Sequence, residues 1–386
     1  MKRIKLNRIF IVLALLTALA SCHKDQMAPT TGPATPGSLY VLSAGIRGNP
    51  IYSDPGLLGS FNRTSFNYVS GSLMSYNFAS KKLIADQYSM ANGTPISGGT
   101  NLYVYGSKMY IISTNTMTVV DAKTSKLIKQ VSINNSDTTT GANFSAPVAF
   151  YKGNLLLNCP FAGIKVYDTV TFAVTKTIVA TGSSMSVANG KLYVVPYSFT
   201  GGVVQVIDLA TLTLSAPVFS VLPAASAMAA DGNGNVYTLS PFDEQVGPVI
   251  ALGYNGTVTA EVNDNFNGGL TIINSNTNTV SVSQTQEKLQ NFTLTAQGNF
   301  AYFFNANNQL IAYNSITHTC AAFVTDGTSF IQPTCIAANP TTGEVYVGDA
   351  KDLVSNGILY AFDKTGKLEY TLTTGICPAQ IVIVNN

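Results

Sequence analysis

Three short segments of the chain set a proline beside an aromatic residue. They are Pro160-Phe161, Pro196-Tyr197 with Phe199 close behind, and Pro241-Phe242 followed by Asp243 and Glu244. A longer stretch, IRGNPIYSDPGLLGSFNRTSFNYVSG, carries Arg47, Tyr52, Asp54, Phe61, Arg63, Phe66 and Tyr68. Aromatic rings and guanidinium groups dominate recognition energies, because they bury large areas and offer fixed geometry. Such groups converging on one surface would make a binding site. Folded back instead, the same aromatics would cap the elements beneath them. A further segment, DAKDL, brings together Asp349, Lys351 and Asp352. These could hold a cation or a polar ligand, or simply shape a solvated loop.

Patterns for covalent or acid-base catalysis are missing from the sequence. It has no G-x-S-x-G, no H-E-x-x-H and only two histidines, His23 and His318, far apart. DGNGNVY, at 231–237, looks like a glycine-rich phosphate loop, but it lacks the third glycine and runs into a strand-like segment. It reads as a hairpin turn. After Cys22 the cysteines are Cys159, Cys320, Cys335 and Cys377, whose spacings fit no zinc pattern. Cys335 and Cys377 occupy corresponding places in two repeats, so a disulfide is one reading and buried free thiols the preferred one. Neither a metal nor a cofactor is expected.

The elements that must position these residues repeat along the chain. One recurring segment is a short apolar strand centred on Tyr40, Tyr110, Leu156, Tyr193, Tyr237, Tyr302 and Tyr346. A second is a strand closing at Asn77, Asp121, Asp168, Asp208, Asn255, Asn314 and Asp363. Asp and Asn suit that place because their side chains bond the backbone two residues on. A less regular strand precedes the first, often after a proline (Pro95, Pro147, Pro223, Pro333, Pro378), and another follows the second. Seven units of four short antiparallel strands, lettered A to D, predict an all-β, seven-bladed β-propeller. Its B–C and D–A loops share one face, and the Pro-aromatic segments, Lys351 and the Arg47–Arg63 stretch all fall in B–C loops.

The ends of the chain complete the pattern. The first unit begins at SLYVLSA, a B strand with no A strand before it, while the chain finishes on CPAQIVIVNN, an A strand with no B after it. The last strand is therefore expected to close the ring as the innermost strand of the first blade. At the other end, Lys2, Arg3, Lys5 and Arg8 precede an apolar run, which leads to Leu19-Ala20-Ser21-Cys22. This is the order of an export leader, and its last four residues resemble a bacterial lipobox, which implies a lipid on Cys22. Residues 1–21 read as a leader, 22–37 as a Pro-, Gly- and Thr-rich tether, and 38–386 as the propeller. The full chain has 21 Lys+Arg and 19 Asp+Glu. Losing the leader leaves a slightly acidic protein, without the basic surplus a nucleic-acid partner would require.

The closing segment, GEVYVGDAKDLVSNGILYAFDKTGKLEYTLTTGICPAQIVI, resembles the final blade of YncE-like seven-bladed propellers. More narrowly, it is similar to a group of uncharacterised Gram-negative surface lipoproteins. Tyr346, Asp349, Ala350, Asp352, Gly357, Tyr360, Phe362, Asp363, Gly366, Lys367, Gly375, Pro378 and Ala379 carry the likeness. Ser43-Ala44-Gly45 stands where that group has Asn-Glu-Gly. Some of its relatives bind cobalamin and pass it to a TonB-dependent transporter. The resemblance thus implies a lipid-anchored outer-membrane or cell-surface module that captures a small ligand or contacts a transporter. The alternatives are an envelope lipoprotein with a structural role and no small ligand, or a lactonase-like propeller enzyme.

Overall fold

The computed structural model describes residues 37–46, 69–113, 115–133, 147–159, 162–196, 202–219, 225–240, 250–252, 258–261, 268–284, 289 and 293–385. Its strands form seven antiparallel blades of the expected kind. In order A, B, C, D, blade 2 is Asn101–Tyr105, Lys108–Ile112, Thr116–Asp121 and Leu127–Ser132. Blade 3 is Val148–Tyr151, Asn154–Cys159, Gly163–Asp168 and Val174–Ile178. Blade 7 is Pro333–Ala338, Val345–Asp349, Asn356–Phe362 and Leu368–Ile376. Blade 1 takes its B, C and D strands from Ser38–Ser43, Ser72–Asn77 and Lys82–Ile84, and its A strand from Pro378–Val384. The closing register pairs Ser38 with Val384, Tyr40 with Val382 and Leu42 with Gln380. The orphan strands at the two ends of the chain thus satisfy each other's backbone groups.

All seven B strands lie where the repeat predicts, and the reason for their apolar runs is visible in the packing. Each is buried on both faces. In blade 1, Leu39 and Val41 pack into blade 7, beside Cys335, Tyr346 and Leu359. Tyr40 and Leu42 pack into blade 2, beside Leu102, Met109 and Ile111. Seven such clusters, one between each pair of neighbouring blades, make up the core. The repeated central residue always faces the following blade. Two of these tyrosines carry a hydroxyl across the seam: Tyr40 Oη donates to the Lys123 carbonyl (3.4 Å), and Tyr193 Oη to Asn278 Oδ1 (3.0 Å).

The C–D turns follow one rule. Asp121 Oδ1 accepts from the Lys123 N–H (3.1 Å), the Thr124 N–H (2.8 Å) and Thr124 Oγ1 (2.8 Å). Asp168 and Asp208 do the same with Thr171 and Thr211. Four residues after the Asp or Asn the chain turns left-handed, at Lys81, Ser125, Phe172, Leu212, Asn278 and His318. Blade 7 instead uses Gly366 at φ +82°, where a Cβ would collide with the Phe323 carbonyl.

One assignment is corrected. In blade 5 the C strand is Gly269–Asn274, and its turn is opened by Asn274, not Asn255. The segment that mimicked it supplies Ile250–Leu252, which with Val258–Glu261 forms a separate two-stranded hairpin inserted between the B and C strands. Both runs are short, apolar and end in Asn in the sequence, so local pattern cannot rank them. Pairing with Asn235–Ser240 decides the matter.

Candidate ligand-binding face

The two ends of the ring differ in construction. At one end, A–B turns such as Gly106-Ser107, Lys152-Gly153 and Asn189-Gly190 alternate with the locked C–D turns. The B–C and D–A loops gather at the other end. The longest leave blade 1 between Ser43 and Ser72 and blade 5 between Ser240 and Gly269. The base of the blade 1 loop is pinned by a bridge between Ile46 and Val69 and by Gly45, whose N–H reaches the Ile376 carbonyl (3.1 Å). Gly45 has φ +73°, and a Cβ there would strike the Val69 carbonyl, so this position requires glycine.

Of the residues singled out for binding, Arg47, Tyr52, Asp54, Phe61, Arg63, Phe161, Tyr197, Phe199, Phe242 and Asp243 lie outside the described residues, as does Cys22. Their positions in the chain assign them to B–C loops whose flanking strands are described. Asp349 and Lys351 are described. Asp349 is fully buried and its carboxylate is engaged by three backbone donors: Ile331 N–H (2.8 Å), Gln332 N–H (2.9 Å) and Lys351 N–H (2.8 Å). It ties the segment entering the blade 7 A strand to the end of the B strand. Asp352 accepts from Val354 N–H, Ser355 N–H and Ser355 Oγ, and these bonds hold its carboxyl at about 2, below the usual carboxylate range. Lys351, left-handed at φ 54°, is half-buried between them.

The structure adds polar residues that local sequence did not single out. Asn158, fully buried, donates to the Gly182 carbonyl (2.7 Å) and accepts from the Gly182 N–H (3.1 Å), joining blade 3 to the entry of blade 4. Asn305 Oδ1 accepts from Asn307 N–H (3.0 Å) and Gln309 N–H (2.9 Å) and so folds the blade 6 loop. Hydroxyls link the inner strands: Thr293 Oγ1 donates to the Thr334 carbonyl (3.1 Å), and Thr334 Oγ1 to the carbonyls of Gly348 and Pro378. A polar residue at the end of an otherwise apolar B strand was the available signal.

Chemically this end is a scaffold whose described carboxylates are saturated by backbone donors. Among the described residues there is no group of three or more His, Cys, Asp or Glu placed to hold a metal. His318 Nδ1 lies 2.9 Å from Tyr313 Oη, at the opposite end of the blade. Burial, expected of the cysteines after Cys22, holds for Cys159 and Cys335, whereas Cys320 is exposed and Cys377 half-buried. Burial pushes the Cys335 thiol up to about 12.

No known protein family matches the chain, and no curated protein matches it. Among solved structures, it is similar to a quinonprotein alcohol dehydrogenase-like protein from Bacteroides thetaiotaomicron. The TM-score is 0.59 at 17% identity, covering 81% of this chain and 76% of that one. It is also similar to hydrazine synthase from Kuenenia stuttgartiensis, with TM-score 0.56 at 11% identity, covering 75% of this chain and 95% of the other. At these identities the likeness is one of fold, and propellers host many unrelated functions.

Proposed function

We propose that this protein is a cell-envelope lipoprotein, anchored through Cys22 to the outer membrane, whose propeller binds a small ligand or a protein partner with its B–C/D–A loop face. In this reading it serves as a capture module for an outer-membrane transporter. The observation that supports it is the asymmetry of the two ends. Long loops of blades 1 and 5 rise from one face, whereas the other is closed by short turns whose polar groups bond the backbone. Recognition needs adaptable, aromatic-rich surface on a rigid frame, and only the loop end combines Arg47, Tyr52, Phe61, Tyr197, Phe199 and Phe242 in its sequence. The internal use of Asp349 and Asp352 favours binding over acid-base catalysis.

Native mass spectrometry of the protein purified from its own cells tests the reading by revealing a co-purifying ligand or transporter. Binding of that species should be lost in a Tyr52→Ala, Tyr197→Ala, Phe242→Ala triple variant. It should survive a matched triple, Val170→Ala, Ile316→Ala and Lys364→Ala, in exposed C–D turns of the opposite face. The reverse result would place recognition on the turn face. An envelope lipoprotein with a structural role would yield no small ligand in the first step.

A further inference from the structure

The ring is electrically divided. Between residues 38 and 191 there are twelve Lys or Arg against five Asp or Glu; between 192 and 386 there are four against thirteen. Blades 1 to 3 are therefore basic and blades 5 to 7 acidic, although the protein as a whole is near neutral. Part of the basic half forms one continuous outer surface. The C–D turn and D strand of blade 1 expose Lys82 and Leu83, and the short helix Gln87–Asn92 that follows exposes Met90. This helix is bonded directly to blade 2. Asn92 Nδ2 donates to the Ser125 carbonyl (2.8 Å), its Oδ1 accepts from the Leu127 N–H (2.8 Å), and Gln87 Nε2 donates to the Thr124 carbonyl (3.3 Å). Blade 2 continues the surface with exposed Lys123, Lys126, Leu127, Ile128 and Lys129.

Two carboxylates in this sector are turned to structural use. Asp86 accepts from Ser89 N–H and Leu73 N–H, and Asp121 closes its turn. Counting Lys81 in the blade 1 turn, five lysines and four large apolar side chains thus face outward. Exposed apolar groups flanked by lysine are the composition of a surface that lies on anionic lipid, with the apolar atoms below the headgroups and the ammonium groups among them. The place where the chain enters the ring adds a geometric argument. Gly37 sits at the turn end of blade 1, where its carbonyl accepts from the Phe78 N–H (3.1 Å). Residues 23–36 separate it from Cys22, a length of chain that reaches at most about 50 Å. A lipid on Cys22 would hold the bilayer within that distance of Gly37, at the turn end of the ring where Lys82 and Lys123 also lie.

We propose that the outer surface of blades 1 and 2, with Lys82, Lys123, Lys126 and Lys129 around Leu127 and Ile128, docks on an anionic lipid surface. Docking this way leaves the loop face free of the bilayer. The inference rests on the lipoprotein reading for its orientation, and its chemistry is testable apart from it. Every strand of the closed ring lies within residues 38–384, so the chain from position 22 onward, made with Cys22→Ser, contains the whole fold and carries no lipid. Co-sedimentation with vesicles of 30 mol% phosphatidylglycerol in phosphatidylcholine should show binding that pure phosphatidylcholine vesicles do not. Each lysine at an anionic surface contributes roughly fivefold in partitioning. Lys82→Gln, Lys123→Gln, Lys126→Gln and Lys129→Gln together should therefore weaken binding by about two to three powers of ten. A control with Lys152, Lys176, Lys364 and Lys367 all changed to Gln, equal in charge lost, should bind as the parent does. Equal loss in both variants, equal binding to neutral vesicles, or no binding to either vesicle would overturn the proposal. So would sedimentation velocity showing that the patch variant loses a salt-sensitive dimer instead, since the acidic half of a second copy would then be the occupant. The anchor is read separately, by whether Cys22→Ala leaves the membrane fraction of cells, so either idea can fail alone.

Discussion

Ring closure rests on one strand, and Ile381 is the residue through which its contribution can be measured. Ile381 is 2% exposed and packs among Leu39, Val41, Met74, Cys335, Tyr346 and Leu359, at the seam between the first and last blades. Ile381→Ala removes three carbon groups at about 0.8 kcal/mol each, and the cavity left behind raises the total to roughly 2–5 kcal/mol. For a ring of this length, with an unfolding entropy near 2.1 cal/mol/K per residue, about 3 kcal/mol corresponds to a fall of roughly 4 °C in Tm. Asn385→Ala, just beyond the last paired residue, should change stability by less than about 0.5 kcal/mol. Deleting Pro378–Asn386 removes Ile381, Val384 and the whole inner ladder of blade 1. That loss rivals a typical total stability of about 5–15 kcal/mol and leaves the Ser38–Ser43 edge open to aggregation. Urea and thermal unfolding of the three variants would decide the matter. If Ile381→Ala behaves like Asn385→Ala, or the truncated chain melts with the parent, the C-terminal strand does not close the ring.

Four further outcomes are expected. Hydrogen bonds from their turn backbones and threonines hold Asp121, Asp168, Asp208 and Asp363 below the ordinary range, so the stability they contribute is present at neutral pH and lost as pH falls through those lowered values. Changing all four to Asn, the residue already used at positions 77, 274 and 314, should flatten the acid limb of a stability-versus-pH curve; an unchanged limb would exclude these turns as its source. Glu369 behaves oppositely: burial and the neighbouring Glu344 raise it, so its ionised form is disfavoured in the folded state and stability gains as pH falls through the raised value. Glu369→Gln should therefore be more stable than the parent at pH 7 in urea titration, and lower stability there would refute the sign. Gly366→Ala puts a side chain at φ +82° against the Phe323 carbonyl and should cost more than about 1 kcal/mol, measured as a shift in the urea midpoint at constant slope. Exposed Cys320 should react with a thiol reagent in the native protein, whereas Cys159 and Cys335 should react only on unfolding; rapid native labelling of Cys335 would contradict its burial.

The seven-bladed ring was legible in the sequence because its signals are local and repeated. A B strand buried on both faces must be apolar throughout, and a C–D turn needs Asp or Asn to bond its own backbone. Both requirements act within a few residues and so leave their mark at Tyr110 or Asp168 without help from the rest of the chain. The closing pair of Ser38–Ser43 with Pro378–Val384 was legible for a different reason: counting strands per unit left one unpaired at each end. Blade 5 shows where local reading stops. Two Asn-ended strands competed for one place, and contact with Asn235–Ser240, which no local pattern encodes, chose Gly269–Asn274. The same limit applies to the loop face. Sequence order put aromatic and arginine residues into B–C loops, but it left Asp349 as either a ligand group or, in the preferred reading, part of a solvated loop. Its burial against the backbone N–H groups of Ile331 and Gln332, some seventeen residues away along the chain, settled what its carboxylate bonds. A side chain's type is a property of its position in the chain, but its partners belong to the packing of the whole ring, and only tertiary structure could decide them.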